Sequence, residues 1–159
     1  MREFQNFLPT SLANELHDKM TSNEFPWFWL DDVTVSPKDR SEVPEFYRSQ
    51  PGLHHTPYRD GTMSTWYGDF SFFYHYIIDA LGLPYDQWYL SRLRCGLNFP
   101  TFREEHFLHN QPHVDFPESS GVDHFTCLYY VNESDGPTVV FEEKEESEKY
   151  NIKYQCSPE

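Results

Sequence analysis

The sequence predicts a mainly β domain with α-helices on its N-terminal side. Apolar residues recur with a helical period of 3.6 over residues 70–81, and Gly82 followed by Pro84 ends that pattern. After Pro84 the period changes to two, which is typical of strands with one apolar face. A chain of 159 residues has room for a single domain. We therefore expect a helical region over residues 1–84 and the strands of an antiparallel barrel over residues 85–159.

A short amphipathic helix is predicted near the N-terminus. Its apolar side chains recur at every fourth position, at Leu12, Leu16 and Met20. Thr10 or Ser11 can cap its first turn with a hydroxyl group, and the pattern ends near Asn23. The single apolar stripe indicates that this helix packs on another part of the chain.

An aromatic cluster at residues 25–29 precedes a stretch, residues 36–61, that is predicted to contain little regular structure. The aromatic cluster Trp27–Trp29 is interpreted as a plug in the core. Between residues 36 and 61, prolines and glycines interrupt the apolar runs, which favours an irregular or short-strand connection. His54 and His55 lie in this connection, and we interpret them as an exposed loop pair.

Four strands are predicted where apolar and polar side chains alternate, at residues 89–99, 124–131, 138–142 and 150–156. The turn-forming cluster Asn132–Gly136 allows the second and third of these strands to pair as a hairpin. Glutamates dominate residues 142–148, which we interpret as an exposed loop.

Composition argues against several classes of protein. The formal net charge is −14, so the phosphates of nucleic acid and anionic lipids would be repelled. No apolar run approaches the roughly 18 residues that a membrane-spanning helix needs, and no apolar signal segment follows Met1. Three widely spaced cysteines are typical of buried free thiols in a reducing compartment. We therefore expect a cytoplasmic protein that binds neither membranes nor nucleic acid.

Candidate metal ligands are concentrated between Glu104 and Asp115. His113 and Asp115 form an H-x-D pattern, and side chains two positions apart on an extended chain point to the same face. An imidazole and a carboxylate placed in this way can bind the same metal ion. Chance alone supplies on average roughly half an H-x-D motif per sequence of such composition, so the pattern needs support from its surroundings.

Two other interpretations of the neighbouring histidines remain open. His106, His109 and His113 would share one face of a helix and could bind zinc, although Pro112 disfavours a helix there. Alternatively, His106 and His109 line an entrance loop beside the H-x-D motif.

The surroundings of the H-x-D motif supply that support. Five segments stand in a characteristic order, at Phe7–Pro9, Phe25–Trp27, Leu90–Arg94, Pro112–Asp115 and Leu128–Thr138. In this order they resemble the iron(II)/2-oxoglutarate dioxygenases of the prolyl 4-hydroxylase-like group, in particular the short forms common in phage and marine microbial genomes. The most specific part is the H-x-D motif followed by Tyr-Tyr-Val-Asn-x-x-x-Gly-x-Thr, which begins at Tyr129.

The resemblance implies a double-stranded β-helix, or jelly roll, with iron(II) bound between its two sheets. His113 and Asp115 would be two of the iron ligands and therefore catalytic residues. The cosubstrate would be 2-oxoglutarate, with ascorbate as a candidate reductant, and a small-molecule or peptidyl substrate would be hydroxylated at a C–H bond. Arg92, Arg94 and Tyr129 are candidates for binding 2-oxoglutarate. The alternatives are salt bridges for the two arginines and core packing for the tyrosine.

The chain departs from the family's pattern after Asp115. In the family a distal histidine supplies the third iron ligand from a late strand, and a basic residue beyond it binds 2-oxoglutarate. Here the later histidine is His124, which begins the next predicted strand and therefore does not match that ligand. We expect that the C-terminal strands of the β-helix are missing and that these residues alone bind iron weakly. The competing interpretation is a non-catalytic jelly roll, such as a phage structural or binding module.

Overall fold

The computed structural model describes residues 1–31, 33, 51–99, 113, 121–134, 136–143 and 150–156. The chain forms two compact units, which we call unit 1 (residues 1–22 and 103–159) and unit 2 (residues 23–102). Strands outnumber helices among the described elements, and every strand pair described is antiparallel. The prediction of a mainly β chain with antiparallel sheets is thus confirmed. Of the described helices, none has the length and apolar character needed to cross a lipid bilayer.

Unit 2 contains a four-stranded sheet built around the long strand β2 (Gly52–Arg59). The strands β1 (Phe28–Leu30) and β3 (Thr62–Met63) pair with opposite ends of β2, and β4 (Arg92–Asn98) pairs along its length. The strand predicted after Pro84 is confirmed as β4. The described part of residues 1–84 therefore contains strands β1, β2 and β3 in addition to the predicted helices.

Strand β2 corrects the prediction that the connection before Gly61 has little regular structure. Pro57 cannot donate to a neighbouring strand, and the register between β2 and β4 shifts between His55 and Tyr58, so the proline lies at an irregularity. The Pro57 carbonyl accepts a hydrogen bond from the Ser64 N–H at 2.9 Å. The proline is thereby accommodated in the middle of a strand.

Gly52 shows why a glycine begins β2. A Cβ atom at this position would lie 2.7 Å from the Leu97 carbonyl oxygen and 2.7 Å from the Val33 Cγ1 atom. Both separations are shorter than the van der Waals contact distance of a carbon atom from an oxygen atom or from another carbon atom. Here the glycine permits close approach of two backbones, and it does not interrupt the strand.

The helix predicted at residues 70–81 is confirmed, with a break at Ser71. A single turn, α2 (Tyr67–Phe70), precedes the longer helix α3 (Phe72–Leu81). Gly82 then adopts a left-handed conformation, with φ of 66° and ψ of 36°. The N–H groups of Gly82 and the next residue donate to carbonyls in the last turn of α3 at 3.1 and 3.0 Å, which is the hydrogen bonding of a Schellman motif.

Aromatic rings form the core of unit 2. The side chains of Phe25 and Phe70 are 4% and 1% exposed, and their ring centroids lie 5.8 Å apart. Trp27 also contacts Phe25, at 4.8 Å between centroids. Phe28 and Trp29 are instead 55% and 58% exposed, so the prediction of a core plug is wrong for these two residues. They belong to β1, an outer strand of the described sheet, where side chains are not enclosed.

Unit 1 contains the helix α1 (Thr10–Thr21) and a two-stranded antiparallel sheet of β5 (Thr138–Phe141) and β6 (Ile152–Cys156). Helix α1 and strand β6 confirm the corresponding predictions. Leu16 of α1 is 2% exposed, as expected for an apolar stripe that packs.

The first turn of α1 is capped differently from the prediction. Pro9 occupies the capping position, and its carbonyl accepts hydrogen bonds from the N–H groups of Leu12 and Ala13, both at 3.0 Å. The predicted side-chain cap by Thr10 or Ser11 is therefore wrong. Because proline sets a backbone angle suited to the start of a helix, the helix begins there without a hydroxyl cap.

The strand predicted at residues 124–131 is not formed, although these residues are described. Strand β5 pairs with β6, so the predicted hairpin with residues 124–131 is also wrong. The β5–β6 connection is closed by the Glu143 carboxylate, which accepts hydrogen bonds from the backbone N–H and the side-chain amide of Asn151 at 2.8 and 2.6 Å. An alternating pattern indicates which side chains of a strand share a face, but it does not indicate which other strand that strand pairs with.

Candidate functional site

His113, the first residue of the H-x-D motif, is exposed and belongs to unit 1. Asp115 lies outside the described residues, as do His106 and His109 of the zinc interpretation. A shared metal ion at His113 and Asp115 therefore stays a prediction. Within the part of the chain that the structure describes, no three His, Cys, Asp or Glu side chains are grouped so that they could bind a metal ion.

The second motif, Tyr129–Thr138, is held together by a side-chain hydrogen bond. The Tyr130 hydroxyl donates to Thr138 Oγ1 and thus ties the segment before the turn to the first residue of β5. Within the turn, Ser134 Oγ accepts a hydrogen bond from the Gly136 N–H at 3.1 Å. The two ends of the motif are joined although the residues before the turn do not form a strand.

The two tyrosines of this motif have different surroundings. Tyr129 is half-buried, and its ring packs on Phe7 at 6.5 Å between centroids. Burial raises the pKa of the Tyr129 phenol, which therefore stays protonated at neutral pH. A protonated phenol can donate a hydrogen bond to a carboxylate. The Tyr130 hydroxyl instead donates to Thr138 within the motif.

The two arginines predicted to bind 2-oxoglutarate belong to β4 of unit 2. Arg92 and Arg94 are exposed and alternate with the half-buried Leu93 and the buried Cys95. They thus lie on the face of β4 that points away from the core of unit 2. An exposed guanidinium can bind an anion or pair with acidic side chains, and both roles stay predictions for these arginines.

The prediction of buried free thiols is confirmed for Cys95 but not for Cys127. All three are free thiols. Cys95 is buried, and burial raises its pKa to about 12, so its thiol stays neutral and behaves as a small apolar side chain. Cys127 is exposed, and the prediction of a buried thiol is wrong there, because residues 124–131 do not form the strand that would have enclosed it.

His124 lies on the surface of unit 1. Its Nδ1 atom is 3.2 Å from the Val122 carbonyl oxygen, and since a carbonyl only accepts, Nδ1 carries the proton. The bond joins residues two positions apart and orients the imidazole within its own loop. The prediction that His124 begins a strand is therefore wrong.

His55 is the polar residue that sequence reasoning missed. Its side chain is 4% exposed, so the prediction of an exposed loop pair is wrong for this residue, and the neighbouring His54 is half-buried. The His55 Nδ1 atom lies 3.2 Å from the Pro26 carbonyl oxygen, and Nε2 lies 2.9 Å from Ser64 Oγ. Because the carbonyl accepts, Nδ1 carries the proton and Nε2 accepts from the serine hydroxyl. Burial lowers the pKa of His55, which keeps the imidazole neutral.

A signal for His55 was present in the sequence. His55 and Pro57 are two positions apart, and both side chains are buried in β2. The prolines and glycines around this alternation predicted a loop instead, because they are more often found in loops than in central strands.

Comparisons with known proteins do not assign this chain, since no protein-family model, no curated protein and no solved structure matches it. A functional proposal therefore depends on the residues themselves, above all on the H-x-D motif and the motif that follows it.

Proposed function

We propose that this protein is an iron(II)/2-oxoglutarate-dependent oxygenase of the prolyl 4-hydroxylase-like type, built on a double-stranded β-helix. The observation that carries the proposal is the order of two motifs, the H-x-D at His113 and the segment Tyr129–Thr138. The bond from Tyr130 to Thr138 supports the proposal, because it makes the second motif a local structural unit. Antiparallel pairing in both sheets is what a double-stranded β-helix requires.

The donor set suits iron(II). Non-haem iron(II) oxygenases bind their metal with two histidines and one carboxylate, and an H-x-D motif supplies one of each kind. His113 and Asp115 would hold the metal, and the exposure of His113 leaves its imidazole accessible. When bound, iron(II) would supply the coupling between 2-oxoglutarate decarboxylation and hydroxylation of a C–H bond.

The residues of the second motif would position the cosubstrate. The protonated Tyr129 phenol would donate a hydrogen bond to a carboxylate of 2-oxoglutarate. Packing of its ring on Phe7 limits the orientations of the phenol. Tyr130 would act indirectly, because its bond to Thr138 holds the backbone that carries Tyr129.

The test is iron(II)-dependent release of succinate from 2-oxoglutarate, measured with the complete gene product. We expect His113→Ala and Asp115→Ala each to lower the rate by more than about 100-fold, because changes behind the direct ligands already cost roughly 10- to 100-fold. His124→Ala is the matched control, since His124 is also an exposed histidine of unit 1. This control variant should keep the rate of the unchanged protein.

Two results would contradict the proposal. Undiminished succinate release by His113→Ala would show that the H-x-D motif does not bind the metal. Absence of iron-dependent release, together with no iron(II) binding in equilibrium dialysis, would favour the non-catalytic jelly roll.

A further inference from the structure

His55 lies where three segments of unit 2 meet. Strand β2 carries the residue, the Pro26 carbonyl before β1 accepts from Nδ1, and the Ser64 hydroxyl before α2 donates to Nε2. The Ser64 oxygen also accepts a hydrogen bond from the Trp66 N–H at 3.2 Å. One imidazole therefore joins the chain before β1, the central strand and the turn that leads into α2.

Aromatic rings enclose this imidazole. The Phe25 ring meets it edge-on at 5.1 Å between centroids, and the Phe28 ring lies nearly parallel to it at 6.1 Å. Phe25 in turn contacts Trp66 and Phe70, at 5.2 and 5.8 Å. A positive charge on His55 would thus be shielded from water, which disfavours the charged form.

We propose that His55 is an acid-sensitive latch, which holds the Ser64 turn against the sheet while neutral and releases it when protonated. A proton on Nε2 converts this atom from an acceptor into a donor, so the Ser64 hydroxyl hydrogen has to turn away. The Ser64 oxygen has two lone pairs and can accept from both the new N–H group and the Trp66 N–H, but the Ser64 hydroxyl hydrogen loses the imidazole as its acceptor. Protonation therefore removes the acceptor of the Ser64 hydroxyl and introduces a charge into an enclosed site, and opening of the Ser64 turn lets water reach that charge.

The described titratable groups near the latch lie on β2, on β4 and on the segments that flank β1 and α2. His54 on the same strand lowers the pKa of His55 by charge repulsion, a smaller effect than burial, whereas the bond to Pro26 raises it. Opposite His55 in β4 lies Cys95, whose thiol is uncharged. The remaining titratable residues that the structure describes on the neighbouring segments are Glu24 before β1, Tyr58 and Arg59 of β2, Tyr67 and Asp69 of α2, and Arg92 and Arg94 of β4. β1, β3 and the turn at residues 64–66 carry no titratable side chain.

The direction of the pH effect follows from the lowered pKa. The unfolded chain takes up a proton near the ordinary histidine value of 6.5, before the folded chain does. The latch therefore contributes its full stability above pH 6.5, and this contribution is lost as the pH falls through the folded pKa. Between these two values the ratio of latched to open protein falls by up to about tenfold per pH unit.

The experiment uses the tryptophans of the latch region as reporters. Trp27 and Trp66 both contact the Phe25 ring, so opening should change tryptophan fluorescence and speed the hydrogen exchange of β2 amides. Titration from about pH 8 to about pH 5 should give a one-proton transition below pH 6.5 in the unchanged protein. His55→Gln, which retains hydrogen-bonding groups but does not titrate, should lack this transition.

The matched control is His54→Gln on the same strand. It should keep the transition and shift its midpoint to higher pH, because repulsion of the His55 charge is removed. A transition that persists in His55→Gln with an unchanged midpoint would overturn the proposal, as would no transition in the unchanged protein.

A second variant leaves His55 in place in case His55→Gln does not fold. Ser64→Ala removes the donor that favours the neutral imidazole, so the midpoint should move to higher pH. A midpoint that stays the same or moves to lower pH would also overturn the latch.

Discussion

The two units differ in how their described side chains are held. In unit 2, Phe25, Phe70 and His55 lie buried in one aromatic core. In unit 1, the buried apolar side chains among the described residues are Leu8 and Leu16, and the second motif is joined by polar bonds. Burial of a large apolar side chain contributes more free energy than an accessible hydrogen bond. Substitutions should therefore cost most in the core of unit 2 and least at the polar bonds of unit 1.

The largest effect is expected from Phe70→Ala. The Phe70 side chain is 1% exposed and packs on Phe25, so its removal leaves a cavity and should lower the free energy of unfolding by about 3–5 kcal/mol. Urea unfolding followed by tryptophan fluorescence measures this loss. Phe28→Ala is the control, because that ring is 55% exposed and its loss should cost less than about 1 kcal/mol. Equal losses in the two variants would contradict the packing described for unit 2.

An intermediate effect is expected from Gly52→Ala in the sheet of unit 2. The added Cβ would lie 2.7 Å from a backbone oxygen of Leu97, which cannot move without disturbing β4. Overpacking of this kind should lower the free energy of unfolding by about 1–3 kcal/mol. Thermal unfolding measures this loss. Gly96→Ala is the control, since a Cβ at Gly96 meets nothing within 4 Å and the variant should unfold at a higher temperature than Gly52→Ala. If both variants unfold at the same temperature, the close approach at Gly52 is not present in solution.

The smallest effect is expected from Tyr130→Phe in unit 1. The substitution keeps the ring and removes the hydroxyl that donates to Thr138, which should cost about 0.5–1.5 kcal/mol. Hydrogen exchange of the β5 amides measures the local loss. Tyr89→Phe is the matched control, because Tyr89 is 77% exposed. This substitution should leave the hydrogen exchange of the β5 amides unchanged. A loss as large as that of Phe70→Ala would show that the second motif depends on more than one accessible bond.

The candidate site was predicted from the sequence more fully than it is described by the structure. His113, Asp115 and the second motif were recognised by residue type and order, which do not require coordinates. The structure adds the bond from Tyr130 to Thr138 and the burial that raises the pKa of Tyr129. The sequence could not supply these, because a hydroxyl's partner is set by the path of the backbone between the two residues.

Elements with a local physical cause were determined by the sequence alone. Helix α3 follows from apolar periodicity and ends where Gly82 can adopt a positive φ, and both properties reside within one short segment. Strands β4 and β6 follow from alternation of polar and apolar side chains. These patterns act between residues close together in the chain, so they can be recognised without knowledge of the fold.

Tertiary structure decided the elements that depend on distant partners. Strand β2 exists despite Pro57 because β1, β3 and β4 pair around the proline. Residues 124–131 have a strand-like pattern but no strand, and β5 pairs with β6 instead. His55 is buried because Pro26 and Ser64, 29 and 9 residues away in the chain, satisfy both of its nitrogens. A buried polar group requires such partners, and only the folded chain brings them within hydrogen-bond distance.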